Sequence, residues 1–157
     1  MKNVLYLIIG FCLSCGSVCA GNGEKYFGIS GGYSLIRAVN ARLSLDFETR
    51  YHGCHELFAE FYDSYESGKW DYLQEYRGGY AYKFPLSRGK NTILKMRIGA
   101  AAGADAEGFT CGAQVGFELN RTFANGFQFF VLQNNEYALW TPRPWRNGLS
   151  LGLRIPF

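Results

Sequence analysis

The chain has 157 residues and a formal net charge of +3, from 16 Lys and Arg against 13 Asp and Glu. This mild charge is spread along the chain, so it does not indicate direct contact with nucleic acid. Aromatic residues make up 17%, and 20 glycines accompany only 4 prolines, with no helical periodicity. Such a composition favours an all-β chain.

The amino terminus has the pattern of a secretory signal peptide. Lys2 precedes the apolar stretch 4–13, and small residues follow as far as Ala20. We expect cleavage between Ala20 and Gly21, which leaves a single mature domain at 21–157. Lipidation after cleavage is the alternative, because this segment also contains Cys12, Cys15 and Cys19.

Beyond the leader, apolar and polar residues alternate with a period of two, which predicts strands with two different faces. Turn residues separate the alternating segments. The predicted strands are 26–34, 42–51, 56–62, 70–84, 94–100, 110–120, 127–134 and 149–157. The predicted connections are 36–41, 53–54, 64–68, 85–91, 105–108, 122–126 and 137–147. Eight strands predict an antiparallel up-and-down barrel.

The polar faces of these strands carry equal numbers of acids and bases. The acids are Asp46, Glu48, Glu56, Glu60, Asp71, Glu75 and Glu118, and the bases are Arg42, Arg50, Arg77, Lys83, Lys95, Arg97 and Arg154. A solvated surface of a soluble barrel is one interpretation of such a face. The other is the interior of a membrane barrel whose apolar faces contact lipid.

Three features favour the membrane barrel. Glycines are frequent on the polar faces, where a narrow eight-stranded interior needs space. Tyrosine, tryptophan and phenylalanine lie towards the ends of the segment 70–84, as aromatic girdles at two membrane interfaces require. The chain also ends on an alternating apolar stretch and a terminal aromatic residue. We therefore predict an eight-stranded outer-membrane barrel, with the chain ends and both histidines at its periplasmic end.

Two sets of residues follow from this topology. A lumen charge network is predicted from Arg42, Asp46, Glu60, Glu75, Arg77, Arg97, Glu118 and Arg154. Leu153, Ile155 and Phe157 resemble the carboxy-terminal signal that the outer-membrane assembly machinery recognises, so that machinery is an expected partner.

From about residue 39 to its end, the chain resembles the TraO family of Bacteroidetes conjugative transposons. The likeness is carried by the segments 57–62, 78–82, 98–103 and 112–119. The resemblance implies a part in conjugal DNA transfer, either within the envelope-spanning complex or as an accessory outer-membrane protein. Other conjugation proteins are the partners that it implies.

No catalytic or cofactor motif is found in the sequence. His52 and His55 flank Cys54, but on a strand the three residues cannot share one face, so no metal site is predicted. The expected function is therefore non-enzymatic and free of cofactors. An outer-membrane enzyme that modifies lipid or protein, and an adhesion or structural barrel, are the two alternatives.

Of the predicted external connections, the segment 137–147 has the most side chains suited to contact with a partner or with lipid. Trp140, Arg143, Trp145 and Arg146 are predicted to contact either a partner or lipid head groups.

The two cysteines of the mature chain are expected to remain unbonded. Cys54 is predicted at the periplasmic end and Cys111 near the external end, too far apart for a disulfide.

Overall fold

The computed structural model describes residues 23–35, 37–49, 51–66, 69–106 and 108–157, except for the side chains of 66 and 69–72. The predicted leader, with its cleavage site at Ala20 and Gly21, lies outside these residues. Arg50 and the side chain of Asp71 also lie outside them.

The described chain forms eight antiparallel strands that close into a barrel. The strands are β1 (Lys25–Ser34), β2 (Ala38–Glu48), β3 (Cys54–Glu66), β4 (Lys69–Arg88), β5 (Thr92–Ala104), β6 (Phe109–Thr122), β7 (Gln128–Leu139) and β8 (Trp145–Pro156). Each strand pairs with the next in sequence, and β1 pairs with β8, for example Ile29 with Leu153. The predicted fold is thus confirmed.

The even strand number brings Gly23 and Phe157 to the same end of the barrel, which we call the terminus end. The ends of β2, β4 and β6 and the starts of β3, β5 and β7 lie there. The ends of β1, β3, β5 and β7 lie at the opposite end, the loop end, with the connection 140–144.

Several strands are longer than the sequence predicts. β2 begins at Ala38, inside the predicted connection 36–41. Pro85 and Leu86, predicted to lie in a turn, belong to β4, which tolerates the proline because the pairing register shifts between Pro85 and Ser87. Cys54, predicted to lie in a connection, is the first residue of β3.

The two barrel faces differ sharply in chemistry. Apolar side chains such as Leu43, Val115 and Leu151 point outward and are about half exposed. Charged side chains such as Asp46 and Arg97 point inward and are at most 1% exposed. This order is the reverse of that in a water-soluble protein, and it is the arrangement of a transmembrane barrel, whose apolar outer band contacts lipid.

None of the described residues lies in a helix that is long and apolar enough to span a membrane.

Candidate functional site

The barrel interior is a network of paired charges. All eight residues of the predicted lumen charge network are buried inside. Among the described side chains, the inward-facing acids are Asp46, Glu48, Glu56, Glu60, Glu75, Glu118 and Glu136, and the inward-facing bases are Arg42, Arg77, Lys83, Lys95, Arg97, Arg146 and Arg154. Mutual pairing offsets the cost of removing these charges from water.

Near the terminus end, the cluster centres on Lys83. Its Nζ lies 2.9 Å from Asp46 Oδ1, 3.0 Å from Glu118 Oε2 and 3.4 Å from Glu56 Oε1. Arg154 binds two of these three carboxylates. Its Nε lies 2.5 Å from Asp46 Oδ2, and its Nη2 lies 2.6 Å from Glu118 Oε2. These contacts join β2, β4, β6 and β8 across the lumen.

At mid-height, Phe58 projects inward between two arginines. The guanidinium carbons of Arg42 and Arg97 each lie 4.7 Å from the centre of its ring, at cation–π distance. Gly79 makes room for the ring, because a Cβ at that position would lie 2.4 Å from Phe58 Cζ. The inward glycine therefore has the packing role that the sequence predicts for it.

Arg97 connects the two halves of the network. Its Nε lies 2.5 Å from Glu56 Oε2, and its Nη1 donates to Gln114 Oε1 at 2.7 Å. Gln114 Nε2 in turn donates to Glu136 Oε2 at 2.9 Å.

Near the loop end, Glu75, Arg77, Glu136 and Arg146 form the second half of the network. Arg77 pairs with Glu136 through a short contact, and its Nε lies 3.5 Å from Glu75 Oε2. Arg146 Nη1 lies 2.5 Å from Glu75 Oε2, and its Nη2 lies 2.7 Å from Glu75 Oε1.

The position of Arg146 corrects a prediction. The sequence places it among external contacts to lipid or a partner, whereas its side chain is buried and 4% of the residue is exposed. Because β7 continues to Leu139 and β8 begins at Trp145, Glu136 and Arg146 lie in strands and face each other across a pair. Glu136 was missed for the same reason, although the alternation of Glu136 and Ala138 with the apolar Tyr137 and Leu139 is a signal for a strand.

Little open space remains in this network. A cavity of about 30 Å³ lies between Asn40, Tyr62 and Arg146 near the loop end, which is room for about one water molecule. A larger cavity of about 550 Å³ opens at the terminus end beside Glu48 and Gln128. The charges therefore plug the lumen between this mouth and the loop end.

The loop-end rim carries the remaining predicted contact residues. Trp140 and Trp145 are 69% and 66% exposed, and Arg143 is half-buried. Trp145 packs against Tyr137 with ring centres 4.7 Å apart, and Trp140 against Phe109 at 5.9 Å. These pairs lie on the outward faces, as an interfacial aromatic girdle does.

A second aromatic group lies on the outer surface nearer the terminus end. Tyr82 stacks edge-on against Phe84 and His55, with ring centres 4.6 Å and 4.9 Å apart. His55 Nδ1 also lies 2.7 Å from the Tyr80 hydroxyl.

Cys54 and Cys111 are both free. Cys54 is buried beside Asp46, with its Sγ 3.5 Å from Oδ1, and pairs with Lys83 near the terminus end. Cys111 pairs with Ala102 and Leu139 near the loop end. Within the described residues, no three His, Cys, Asp or Glu side chains are grouped as a metal site.

The predicted assembly signal lies on the outer surface. Leu153, Ile155 and Phe157 are 48%, 43% and 69% exposed. Phe157 donates its backbone N–H to the Lys25 carbonyl at 3.1 Å, next to the seam between β8 and β1.

Comparisons with known proteins bear on the fold. No protein-family profile and no curated protein sequence matches the chain. Among solved structures, the outer membrane enzyme PagL matches with a TM-score of 0.58 and 15% identity, over 84% of this chain and 99% of PagL. Neisserial surface protein A (NspA) matches with a TM-score of 0.55 and 13% identity, over 86% of this chain and 96% of NspA. The de novo designed TMB2.3 matches with a TM-score of 0.52 and 12% identity, over 88% and 97%.

The chain has the fold of an outer-membrane β-barrel. At these identities the likeness is one of fold. The set includes an enzyme and a surface protein, so it does not specify an activity.

Proposed function

We propose that the protein is a sealed, non-enzymatic barrel of the outer membrane that acts as a component of the conjugal DNA-transfer apparatus. The proposal that the barrel is sealed rests on the charged plug. A lumen filled by paired side chains cannot serve as a conduit, so the functional surfaces are the rim and the lipid-facing wall.

The conjugal role rests on the TraO resemblance of the segments 57–62, 78–82, 98–103 and 112–119. All four segments include inward glycines or charged residues of the plug, namely Glu60, Gly79, Gly99 and Glu118. The resemblance therefore concerns the barrel body, and a role as a membrane-embedded component agrees with it.

The non-enzymatic part of the proposal rests on the surroundings of two buried serines, Ser34 and Ser150, and of His55. Ser34 donates its hydroxyl to the Asn147 carbonyl, and Ser150 donates to the Asn40 side chain. His55 contacts tyrosine rings on the outer surface. Within the described residues, none of these hydroxyls has the adjacent histidine that an activated serine requires.

A mating experiment tests the conjugal role. The gene is deleted in frame in a donor strain that carries the conjugative transposon. The deletion is then complemented with the wild-type protein or with a form lacking residues 2–20. We expect the deletion to lower transfer frequency, the wild type to restore it, and the form without the leader to fail. Transfer at the parental frequency in the deletion strain would remove the conjugal proposal and leave the adhesion or structural barrel.

A further inference from the structure

The outer surface of the barrel around β8, β1 and β2 has two concave regions. A basic cleft lies at the loop end, and an apolar groove lies further towards the terminus end. The cleft has a volume of about 430 Å³. Its lining residues are Leu35, Arg37, Arg143, Pro144 and Trp145. Two arginines thus line the cleft together with exposed apolar residues.

The backbone holds both walls of the cleft in place. Leu35 donates its N–H to the Asn147 carbonyl at 2.9 Å, and the Arg37 carbonyl accepts from Tyr65 N–H at 2.8 Å. On the other wall, the Arg143 carbonyl accepts from Arg146 Nε at 3.1 Å. Since Arg146 belongs to the loop-end half of the lumen network, the plug also positions this wall.

Arg37 has a positive φ of 56°. Residues with a Cβ adopt this region at an energetic cost, and glycine or asparagine is the usual choice in such a turn. The cost of this conformation agrees with a role for the Arg37 side chain at the cleft.

The groove lies nearer the terminus end than the cleft, with the outward residues Tyr33 and Leu149 between them; it runs from β8 across β1 and β2 to β3 and β4 and has a volume of about 660 Å³. Its floor is made of small residues, because Gly31 pairs with Ala41 and Ala59 lies on the next strand. Its walls are outward apolar side chains, namely Ile29, Leu43, Phe61, Tyr76, Leu151 and Leu153. Gly31 precedes Leu35 by four positions, so the groove begins about 13 Å along β1 from the cleft.

We propose that this face binds one phosphorylated lipid of the outer leaflet, with its phosphate between Arg37 and Arg143 and an acyl chain in the groove. Arginine is suited to phosphate because its planar group donates two parallel hydrogen bonds. The groove is on the wall that contacts hydrocarbon, where an acyl chain is the available apolar occupant. A free phosphate ion would occupy the cleft and leave the groove empty. A phosphorylated lipid would occupy both, because it has a phosphate and an acyl chain, so the two regions together favour a lipid.

The test uses the folded full-length barrel in a zwitterionic detergent, with bound lipid counted by native mass spectrometry. The probes are dioleoyl phosphatidic acid and dioleoylglycerol, which differ only in the phosphate. We expect the wild type to retain phosphatidic acid about tenfold better, and the double variant R37Q/R143Q to lose that preference. The matched control is R88Q/K90Q, which removes two exposed basic residues at the terminus end and should keep the preference.

A second pair of variants tests the groove. Gly31→Leu fills its floor, and a Cβ at Gly31 meets nothing nearer than 3.8 Å, so the barrel can accept it. Ala113→Leu makes a similar change on the outward face of β6, on the opposite side of the barrel. We expect Gly31→Leu to reduce retention of phosphatidic acid and Ala113→Leu to leave it unchanged.

Three results would overturn the proposal. One is equal retention of phosphatidic acid by the wild type and R37Q/R143Q. Another is equal retention by Gly31→Leu and Ala113→Leu, both shown by heat-modifiable migration to be folded. The third is complete displacement of phosphatidic acid by millimolar inorganic phosphate, which would assign the cleft to a free anion.

Discussion

Arg146 of β8 and Glu75 of β4 form a two-bonded ion pair between strands on opposite sides of the barrel. Both side chains are at least 96% buried, and Thr141 of the connecting loop bonds to both of them. The pair therefore joins opposite walls and also fixes the loop 140–144 over the lumen. It is the contact by which the plug reaches the rim.

Removing one partner of this pair should destabilise the barrel strongly. In Glu75→Ala, the carboxylate left near Arg146 among the described residues is that of Glu136, whose Oε1 lies 3.9 Å from Nη1. An uncompensated buried charge costs about 3–5 kcal/mol. Reversible urea unfolding in lipid vesicles, followed by tryptophan fluorescence, measures this loss.

Two controls accompany Glu75→Ala. The double variant Glu75→Leu with Arg146→Leu removes both charges and should be more stable than Glu75→Ala alone. Arg121→Gln removes an exposed charge and should change the free energy of unfolding by about 0.5 kcal/mol or less. If Glu75→Ala is as stable as Arg121→Gln, the pair does not hold the plug together.

Gly78 and Gly79 are neighbours on opposite faces and make a matched pair. A Cβ at Gly79 would lie 2.4 Å from both the Ala100 carbonyl oxygen and Phe58 Cζ, whereas at Gly78 the nearest atom is 3.9 Å away. Overpacking typically costs about 1–3 kcal/mol. We expect Gly79→Ala to lower the urea midpoint clearly and Gly78→Ala to leave it almost unchanged. Equal midpoints would mean that a glycine at position 79 is not needed to make room for the Phe58 ring.

The faces of the strands could be predicted because side chains alternate strictly along a strand. Leu43 and Leu45 point outward while Arg42 and Asp46 point inward, as the period of two requires. In a membrane barrel, a slip of one residue would place both charges in hydrocarbon, so the register follows once the apolar face is assigned to lipid.

The rim could not be predicted in the same way. Residues 137–147 contain two prolines, which are typical of a loop, yet cross-strand pairing extends β7 and β8 into this segment. Arg146 faces the lumen, where it binds Glu75. That partner lies 71 positions earlier in the chain, on the opposite wall of the barrel. Local composition contains no information about such a distant partner.

Phe157 should matter more for assembly than for stability. The residue is 69% exposed, and it bonds to Lys25 of β1 through its backbone N–H, so Phe157→Glu keeps this contact. We expect the purified variant to refold in detergent with a urea midpoint near that of the wild type, but to accumulate poorly in the outer membrane.

The control for Phe157→Glu is Tyr51→Glu, which changes an 82% exposed aromatic in a turn at the same end of the barrel. This variant should accumulate normally. Normal outer-membrane levels of the Phe157→Glu protein, seen as a heat-modifiable band, would show that the terminal aromatic is not an assembly signal.

Cys54 should be unreactive in the folded barrel. The residue is 1% exposed and lies beside Asp46 inside the lumen. We expect no labelling by a water-soluble maleimide before urea unfolding and complete labelling afterwards, with Cys111→Ala used to isolate the signal. Rapid labelling of the folded protein, or a disulfide-linked peptide pair containing Cys54 and Cys111, would contradict the strand order.

The central claim is that paired charges seal the lumen, and single-channel recording of the purified barrel in a planar bilayer tests it most directly. Asp46, Glu118, Lys83 and Arg154 obstruct the terminus-end half, and Glu75, Glu136, Arg77 and Arg146 obstruct the loop-end half. We predict no steady conductance for the wild type. Reproducible open channels in the wild-type protein would contradict the sealed lumen.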